Sequence, residues 1–356
     1  MTEPMRIGIV GAGYWGPNLI RNFVENPNAT VVGVADLNVD RLRHIKSLYP
    51  QIPNVVSDHT SLLEVGVDGV VVATPPETHA PIAVECLRAG AGVLVEKPFA
   101  TSSAAAREMI DAAEEADRVL MVGHTFLYNS AVHTLKEMIA TEELGDIHYI
   151  DAVRVGLGLF HPTHNVVWDL GPHDISILMH LLDEMPYSVS ARGVGCLQEG
   201  VEDIVYVTLT FPSGIMAHAR LSWLDPSKTR RITVVGSRKM TLYDDVEPIE
   251  KIRVYDKSVE AIRRTDTFGE FQFAYHYGSI VSPFVRFEEP LKAECGHFVE
   301  CLATGATPMT DGVNGLRVVE VIEAVQRSLR AGGGPVPVAY GPSGTAVHEL
   351  GRSAEA

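Results

Sequence analysis

A chain of 356 residues exceeds the length at which one hydrophobic core ordinarily keeps growing, so two domains are expected, each with a core of its own. Hydrophobic residues make up 46 % and charged residues 21 %, the balance of a globular protein, and no apolar run reaches the roughly 20 residues of a membrane helix, which argues against a membrane partner. The formal net charge of −16, with no Lys/Arg cluster, argues against nucleic acid, whose phosphates are bound by local positive charge.

The start, M-T-E-P-M-R-I-G-I-V, shows no basic region followed by an apolar run and a small-residue cleavage site, because Ile7 already begins a strand. Cys86, Cys196, Cys295 and Cys301 lack the pair spacing of a metal site, which fits structural thiols in a reducing, cytoplasmic compartment.

From Arg6 to Val122 the runs Ile7–Val10, Thr30–Ala35, Gly69–Ala73, Gly92–Val95 and Val119–Val122 alternate with helical patterns. Their consecutive Val, Ile, Leu and Ala predict strands of a parallel sheet covered on both faces, an α/β doubly wound domain. After Gly123 the rhythm changes: a helix near Asn129–Ala140, a strand near Ile147–Val155 and a helix from Trp168 to about Leu182. Asp203–Thr210, Ile215–Ser222, Arg231–Val235 and Met240–Tyr243 then alternate about turn signals, which predicts a large, mostly antiparallel sheet and an α+β second domain. Lys257–Phe287, aromatic and without clear period, is expected to be irregular, either functional or buried in an interface. Helices are expected near Leu291–Ala303 and Gly315–Leu329. The expected division is 1–125, 126–345 and a loose tail over 346–356.

Directly after the first strand stands Gly11-Ala12-Gly13-Tyr14-Trp15-Gly16, followed by a helix with Leu19, Ile20 and Phe23 on one side. Gly11 permits a tight turn, Gly13 lets backbone approach a pyrophosphate and Gly16 lets the helix pack closely, with the helix N-terminus facing the anion. Twenty positions after Gly16 the second strand ends at Asp36, where a carboxylate bonds an adenosine ribose and repels the 2′-phosphate of NADP. This predicts a Rossmann domain that takes NAD; Arg41 and Arg43 are the residues nearby that would accommodate NADP. The two strands Gly69–Ala73 and Gly92–Val95 lead into Thr74-Pro75-Pro76-Glu77-Thr78-His79 and Glu96-Lys97-Pro98, at the strand ends where doubly wound sheets bind ligands. The candidate cofactor contacts are therefore Gly11, Gly13, Tyr14, Trp15, Gly16, Asp36, Thr74, Pro75, His79, Glu96 and Lys97.

The Glu96-Lys97-Pro98 run, and Asp169-x-x-x-His173 at the start of a helix in the second half, resemble the Gfo/Idh/MocA family over nearly the whole chain. The resemblance implies that Lys97 reaches the reacting hydroxyl and the nicotinamide ribose, and that a cis peptide precedes Pro98. Asn165–Leu178 and Gly123–Asn129 are similar to the branch that oxidises carbon 3 of nucleotide-linked sugars, from which the chain departs at Ser279 and in the histidine-rich Phe160–His164. The substrate contacts it implies are His124, Tyr128, Arg154, Asn165, Trp168, Asp169 and His173, and the assembly a homodimer or homotetramer. Chemistry points the same way: four-residue spacing puts Asp169 and His173 on one helical face, and removing hydride from a carbinol needs a base for the hydroxyl proton, a task for imidazole. Lys97, His173 and Asp169 are thus the candidate catalytic residues. His161, His164 and His173 lack a Cys or Glu to complete a ligand set, and hydride transfer needs no metal, so none is expected. The alternatives are a cyclitol or free-aldose dehydrogenase, or a silent NAD-binding regulator; retention of Lys97, Asp169 and His173 together argues against silence.

Overall fold

The structure, a computed structural model, describes residues 3–262 and 272–340. In chain order the elements are β1 (Met5–Val10), α1 (Gly16–Glu25), β2 (Ala29–Ala35), α2 (Val39–Leu48), β3 (Asn54–Val56), α3 (Thr60–Val65), β4 (Gly69–Val72), α4 (His79–Arg88), β5 (Gly92–Glu96), α5 (Ser103–Ala116) and β6 (Leu120–Gly123). There follow α6 (Ser130–Ala140), β7 (Ile147–Val155), α7 (Val166–Leu182), β8 (Ser188–Val194), β9 (Ile204–Thr210), β10 (Met216–Ser222), β11 (Thr229–Gly236), β12 (Met240–Asp244), β13 (Ile252–Ile262), β14 (Gln272–Val281), α8 (Pro290–Thr304), α9 (Gly312–Arg330) and β15 (Val336–Pro337).

The first compact unit comprises Met1–Ser130 and Phe287–Val319. Its six strands are parallel in the order β3-β2-β1-β4-β5-β6, a doubly wound sheet in which β4 and β5 are buried throughout. β3 left no periodic signal because Asn-Val-Val is too short, and its three residues are all half-buried. Local chemistry starts the helices: Asn38 caps α2 by accepting from the Asp40 and Arg41 N–H groups, and Ser102 caps α5 by accepting from Ala105 N–H. The late segment joins this unit, whereas the sequence reading counted it with the second domain. Leu291, Cys295, Phe298 and Val299 of α8 share one core with Ile7, Ile9 and Phe23, and Phe298 meets Phe23 edge-on with centroids 6.3 Å apart.

The second unit comprises Ala131–Arg286 and Glu320–Ala356. Its sheet runs β14-β13-β12-β11-β7-β10-β9-β8-β15, antiparallel except where β10 lies parallel to β7. α7 packs on this sheet with Gly171 at the close approach, where a Cβ would come within 3.5 Å of the Leu221 side chain. Irregular structure expected over Lys257–Phe287 is corrected here: β13 and β14 form an antiparallel hairpin. The alternation is unreadable because Phe273, Tyr275, Tyr277 and Ile280 of β14 are all exposed, so no buried face imposes a period of two. Residues 263–271 and the tail expected to be loose lie outside the described residues. Cys86, Cys295 and Cys301 are buried free thiols, but Cys196, expected to be structural, is exposed. Among the described residues no helix is long and apolar enough to cross a membrane.

Candidate active site

In the first unit, Gly11 has φ +104°, and a Cβ there would meet the Ala73 carbonyl oxygen at 2.4 Å, so only glycine fits the turn from β1 into α1 where it passes the end of β4. A Cβ on Gly16 would stand 2.3 Å from Gly11 O, which is why α1 begins flush against that turn. Gly13 is open: among the described residues, the neighbour near its missing Cβ is Arg41 Nη1 at 3.6 Å. No side chain caps α1, and Tyr14 and Trp15 stand exposed at its entrance. Asp36 Oδ2 accepts from Ala12 N–H at 2.7 Å, Oδ1 accepts from Asn38 N–H at 2.7 Å, and Arg41 Nη1 lies 3.6 Å from Oδ2. The carboxylate therefore holds the glycine-rich turn as well as standing at the tip of β2.

Beside this cradle lie the ends of β4 and β5. His79 is buried, with Nδ1 3.0 Å from Pro98 O and Nε2 2.9 Å from Thr74 O, so it ties the two strand ends together. Burial pushes its pKa below the ordinary imidazole value while the carbonyls pull the other way. Thr74 is held in turn by the Thr78 hydroxyl at 2.7 Å, and Pro75 precedes the short 3₁₀ turn Pro76–Thr78. The Lys97–Pro98 peptide is cis, as the resemblance implied. Lys97 is half-buried, and its N–H donates to Glu96 Oε2 at 3.1 Å.

His124 and Tyr128, expected to touch substrate, have internal partners instead. His124 is buried with its pKa pushed down to about 4 by desolvation, and its Nδ1 is 2.8 Å from Asn314 Oδ1. Since an amide oxygen only accepts, that nitrogen carries the proton. Tyr128 packs in the core, its hydroxyl 3.1 Å from Thr310 Oγ1, and burial raises its pKa.

In the second unit, Trp168, Asp169 and His173 are half-buried in the first two turns of α7, with Asp169 and His173 one turn apart. Trp223, just past β10, donates its indole N–H to Asp169 Oδ2 at 2.9 Å. Around that indole stand Phe160 and His161, each 5.7 Å from it by centroids, and His164 stacks on His161 at 4.3 Å. Arg154 of β7 makes a buried bidentate pair with Asp174 of α7 at 2.8 and 3.0 Å. Asn165 is buried and donates to Glu202 at 2.6 Å and Gln326 at 3.0 Å. Arg154 and Asn165 thus orient α7 from below; a buried guanidinium matched to a carboxylate fork is geometrically specific. Among the described residues no three His, Cys, Asp or Glu side chains are grouped to hold a metal ion.

Residues 5–124 match the oxidoreductase family with an NAD-binding Rossmann fold, and residues 132–241 match the GFO/IDH/MocA C-terminal domain. The chain belongs to the Gfo/Idh/MocA family. It is similar to the myo-inositol 2-dehydrogenase of Thermotoga maritima, 24 % identical over 91 % of this chain and 96 % of the relative. It is also similar to the UDP-N-acetylglucosamine 3-dehydrogenase of Acidithiobacillus ferrooxidans, 25 % identical over 92 % and 98 %. The crystal structure of aldose-aldose oxidoreductase from Caulobacter crescentus superposes with a TM-score of 0.80 at 22 % identity, covering 94 % of this chain and all of that one (100 %).

This Gfo/Idh/MocA chain is an NAD-dependent oxidoreductase acting on CH–OH groups. Its residues fit the cofactor: the turn that only glycine closes, the open Gly13, the uncapped start of α1 and the carboxylate at the end of β2. Asp36→Ala is expected to weaken NAD binding about ten-fold and to narrow the preference over NADP, because it removes an acceptor and frees Arg41 to meet a 2′-phosphate. Titrating both cofactors by protein fluorescence checks this; unmodified protein that binds NADP as tightly as NAD defeats it.

Sequence reading missed Trp223, the partner of Asp169. The available signal was its place at the end of the alternating Met216–Ser222 run, since a buried indole N–H, a donor with no acceptor capacity, needs an oxygen opposite.

Proposed function

We propose that this chain transfers hydride between NAD and a ring carbinol of a sugar, carbon 3 of a nucleotide-linked sugar in the reading we favour. The observation that carries the proposal is the pairing on α7 of Asp169, fixed by Trp223, with His173 one turn later. Similarity to the UDP-N-acetylglucosamine 3-dehydrogenase along almost the full length of both chains supports the nucleotide-linked substrate. When bound, NAD accepts the hydride that leaves the carbinol carbon. An imidazole nitrogen of His173 takes the hydroxyl proton as the C–O bond becomes a carbonyl, and Lys97 Nζ donates to the oxygen on which negative charge develops. Asp169, its Oδ2 held by the indole, uses its remaining acceptor capacity on a neighbouring sugar hydroxyl. In this reading His79, Glu96, His124, Tyr128, Arg154 and Asn165 support the site, and Trp168 joins Asp169 and His173 at the substrate.

Trp223→Phe keeps an aromatic ring but removes the N–H donor together with part of the volume of a buried indole. It is expected to lower kcat/KM about ten-fold and to lower the thermal transition through the cavity left behind. Equal kcat/KM would show that Asp169 needs no anchoring.

Turnover followed by reduced-nicotinamide absorbance on UDP-sugars, dTDP-sugars, inositols and aldoses tests the substrate assignment. A UDP- or dTDP-sugar is expected to give the highest kcat/KM. The similarity to myo-inositol 2-dehydrogenase favours a cyclitol as the second reading, and inositol outrunning every nucleotide sugar would replace the first with it. The second unit is proposed to assemble a homodimer or homotetramer, checked by mass in solution at micromolar concentration.

A further inference from the structure

Behind Lys97 the first unit buries two carboxyl groups with a single ammonium group beside them. Glu96, at the end of β5, is buried; its Oε2 accepts from Lys97 N–H at 3.1 Å, and it also receives a hydrogen bond from the Trp15 indole of the glycine-rich turn. Glu294, on α8, is completely buried at 0 % exposure; its Oε2 accepts from the Thr125 hydroxyl at 2.9 Å, and its Oε1 has no hydrogen-bond partner. Gly123 makes room for this arrangement, since a Cβ there would stand 3.1 Å from Glu96 Cδ. The titratable groups facing the pair are Lys97 on the Glu96 side and, on the Glu294 side, Cys295 and Tyr128, a buried thiol and a buried phenol whose pKa values are both raised.

An ionised carboxylate oxygen with no donor, in a buried site that already holds a second carboxylate, is among the costliest arrangements a protein can make. A neutral carboxyl costs far less. The geometry points to Glu294 as a permanently protonated acid, its proton on the unpartnered Oε1, which leaves Glu96 as the one negative charge beneath Lys97. Burial and mutual repulsion both act in this direction. Glu294 is pushed well above the ordinary carboxyl range, first by desolvation and then by the charge of Glu96, whereas Glu96 is pushed up only to about 7, because Lys97, its own N–H bond and Trp15 oppose the burial. The consequence is positional: one carboxylate, bonded at once to the turn of the glycine-rich loop and to the backbone of Lys97, sets where that ammonium group stands. Glu96 and Glu294 are positioning residues that act through Lys97, so the functional part of the inference rests on the catalytic reading of Lys97, while the protonation state does not.

Infrared difference spectroscopy of the substrate-free protein at pH 8 tests the protonation directly. A carboxylic-acid C=O band that shifts on deuteration and vanishes in Glu294→Gln is expected; no such band, or one that survives that substitution, overturns the proposal whatever the enzyme turns over. The positioning role is read from turnover. Glu294→Gln, a neutral group of the same shape, is expected to stay within about three-fold of the parent, whereas Glu294→Leu, which leaves the Thr125 donor and the Glu96 charge without their polar neighbour, is expected to lose roughly ten-fold or more in kcat. Leucine and glutamine variants of equal activity would overturn that role. Should the leucine variant fail to fold, the infrared comparison of parent and glutamine variant still decides the protonation.

Discussion

Lys97→Met is expected to lower kcat by about 10² to 10³ while NAD binding and the thermal transition stay close to those of the parent. Methionine is nearly isosteric with the lysine stem, so the half-buried side chain keeps its packing and the Lys97 N–H still donates to Glu96. What is lost, in the proposed role, is the charge and the donor for the oxygen that becomes negative as hydride departs. Such preorganised donors act where reorganisation has already been completed by folding, and their removal is felt in the transition state rather than in substrate binding. In the proposed reading the cofactor cradle is made by Gly11, Gly13, the start of α1 and Asp36, and the hydrogen bonds by which Asp36 holds the Ala12 and Asn38 N–H groups are not removed by the substitution. Steady-state kinetics with a melting curve and an NAD titration check the result. Unchanged kcat removes Lys97 from the chemistry; a collapsed melting curve assigns it to structure.

For His173→Asn the expected loss in kcat is about 10² to 10⁴, the range for a general base, with a smaller effect on NAD binding. The sign of the pH dependence separates a base from a mere hydrogen-bonding group. In the alcohol-to-ketone direction the base must be neutral, so the parent rate rises with pH as the base loses its proton. In the ketone-to-alcohol direction the same group must carry its proton, and the limb reverses. Asparagine retains hydrogen bonding but does not titrate, so the rising limb is expected to disappear with the rate. The variant leaves the helix in place, because α7 is held by the buried Arg154–Asp174 pair, by Asn165 and by the apolar residues Ile175, Leu178 and Met179. Near-normal kcat with the same rising limb would move the base elsewhere and leave His173 as a sugar-binding residue.

Local sequence was enough for the parts of this protein in which residue type and short-range geometry are the same fact. The runs of Val, Ile and Leu in β1, β4 and β5 have one physical reading, because only a strand covered on both faces tolerates apolar residues at every position. The turn at Gly11 is equally local, since a φ of +104° and a backbone at 2.4 Å exclude any side chain there. The four-residue interval of Asp169 and His173 gave their common face as soon as the segment was read as helix. The β13–β14 hairpin stayed hidden because its exposed aromatics carry no periodicity, and short β3 for a similar reason.

Which polar residues are spent on the fold was beyond the reach of the sequence, because partners lie far apart along the chain. Arg154 meets Asp174 and Asn165 meets Gln326 within the second unit, while His124 meets Asn314 and Tyr128 meets Thr310 within the first, so four residues that read as substrate contacts have internal hydrogen bonds. Asp169 and Trp223 are 54 positions apart, and only the packing of α7 over β10 makes them neighbours. Tertiary structure alone also brought Glu294 behind Glu96: α8 follows strands β7 to β14 of the second-unit sheet in sequence, yet its apolar face completes the core of the first unit and carries that carboxyl inside with it. Residue type fixes what a side chain is able to do, but long-range packing decides whether water, substrate or another side chain is there to receive it.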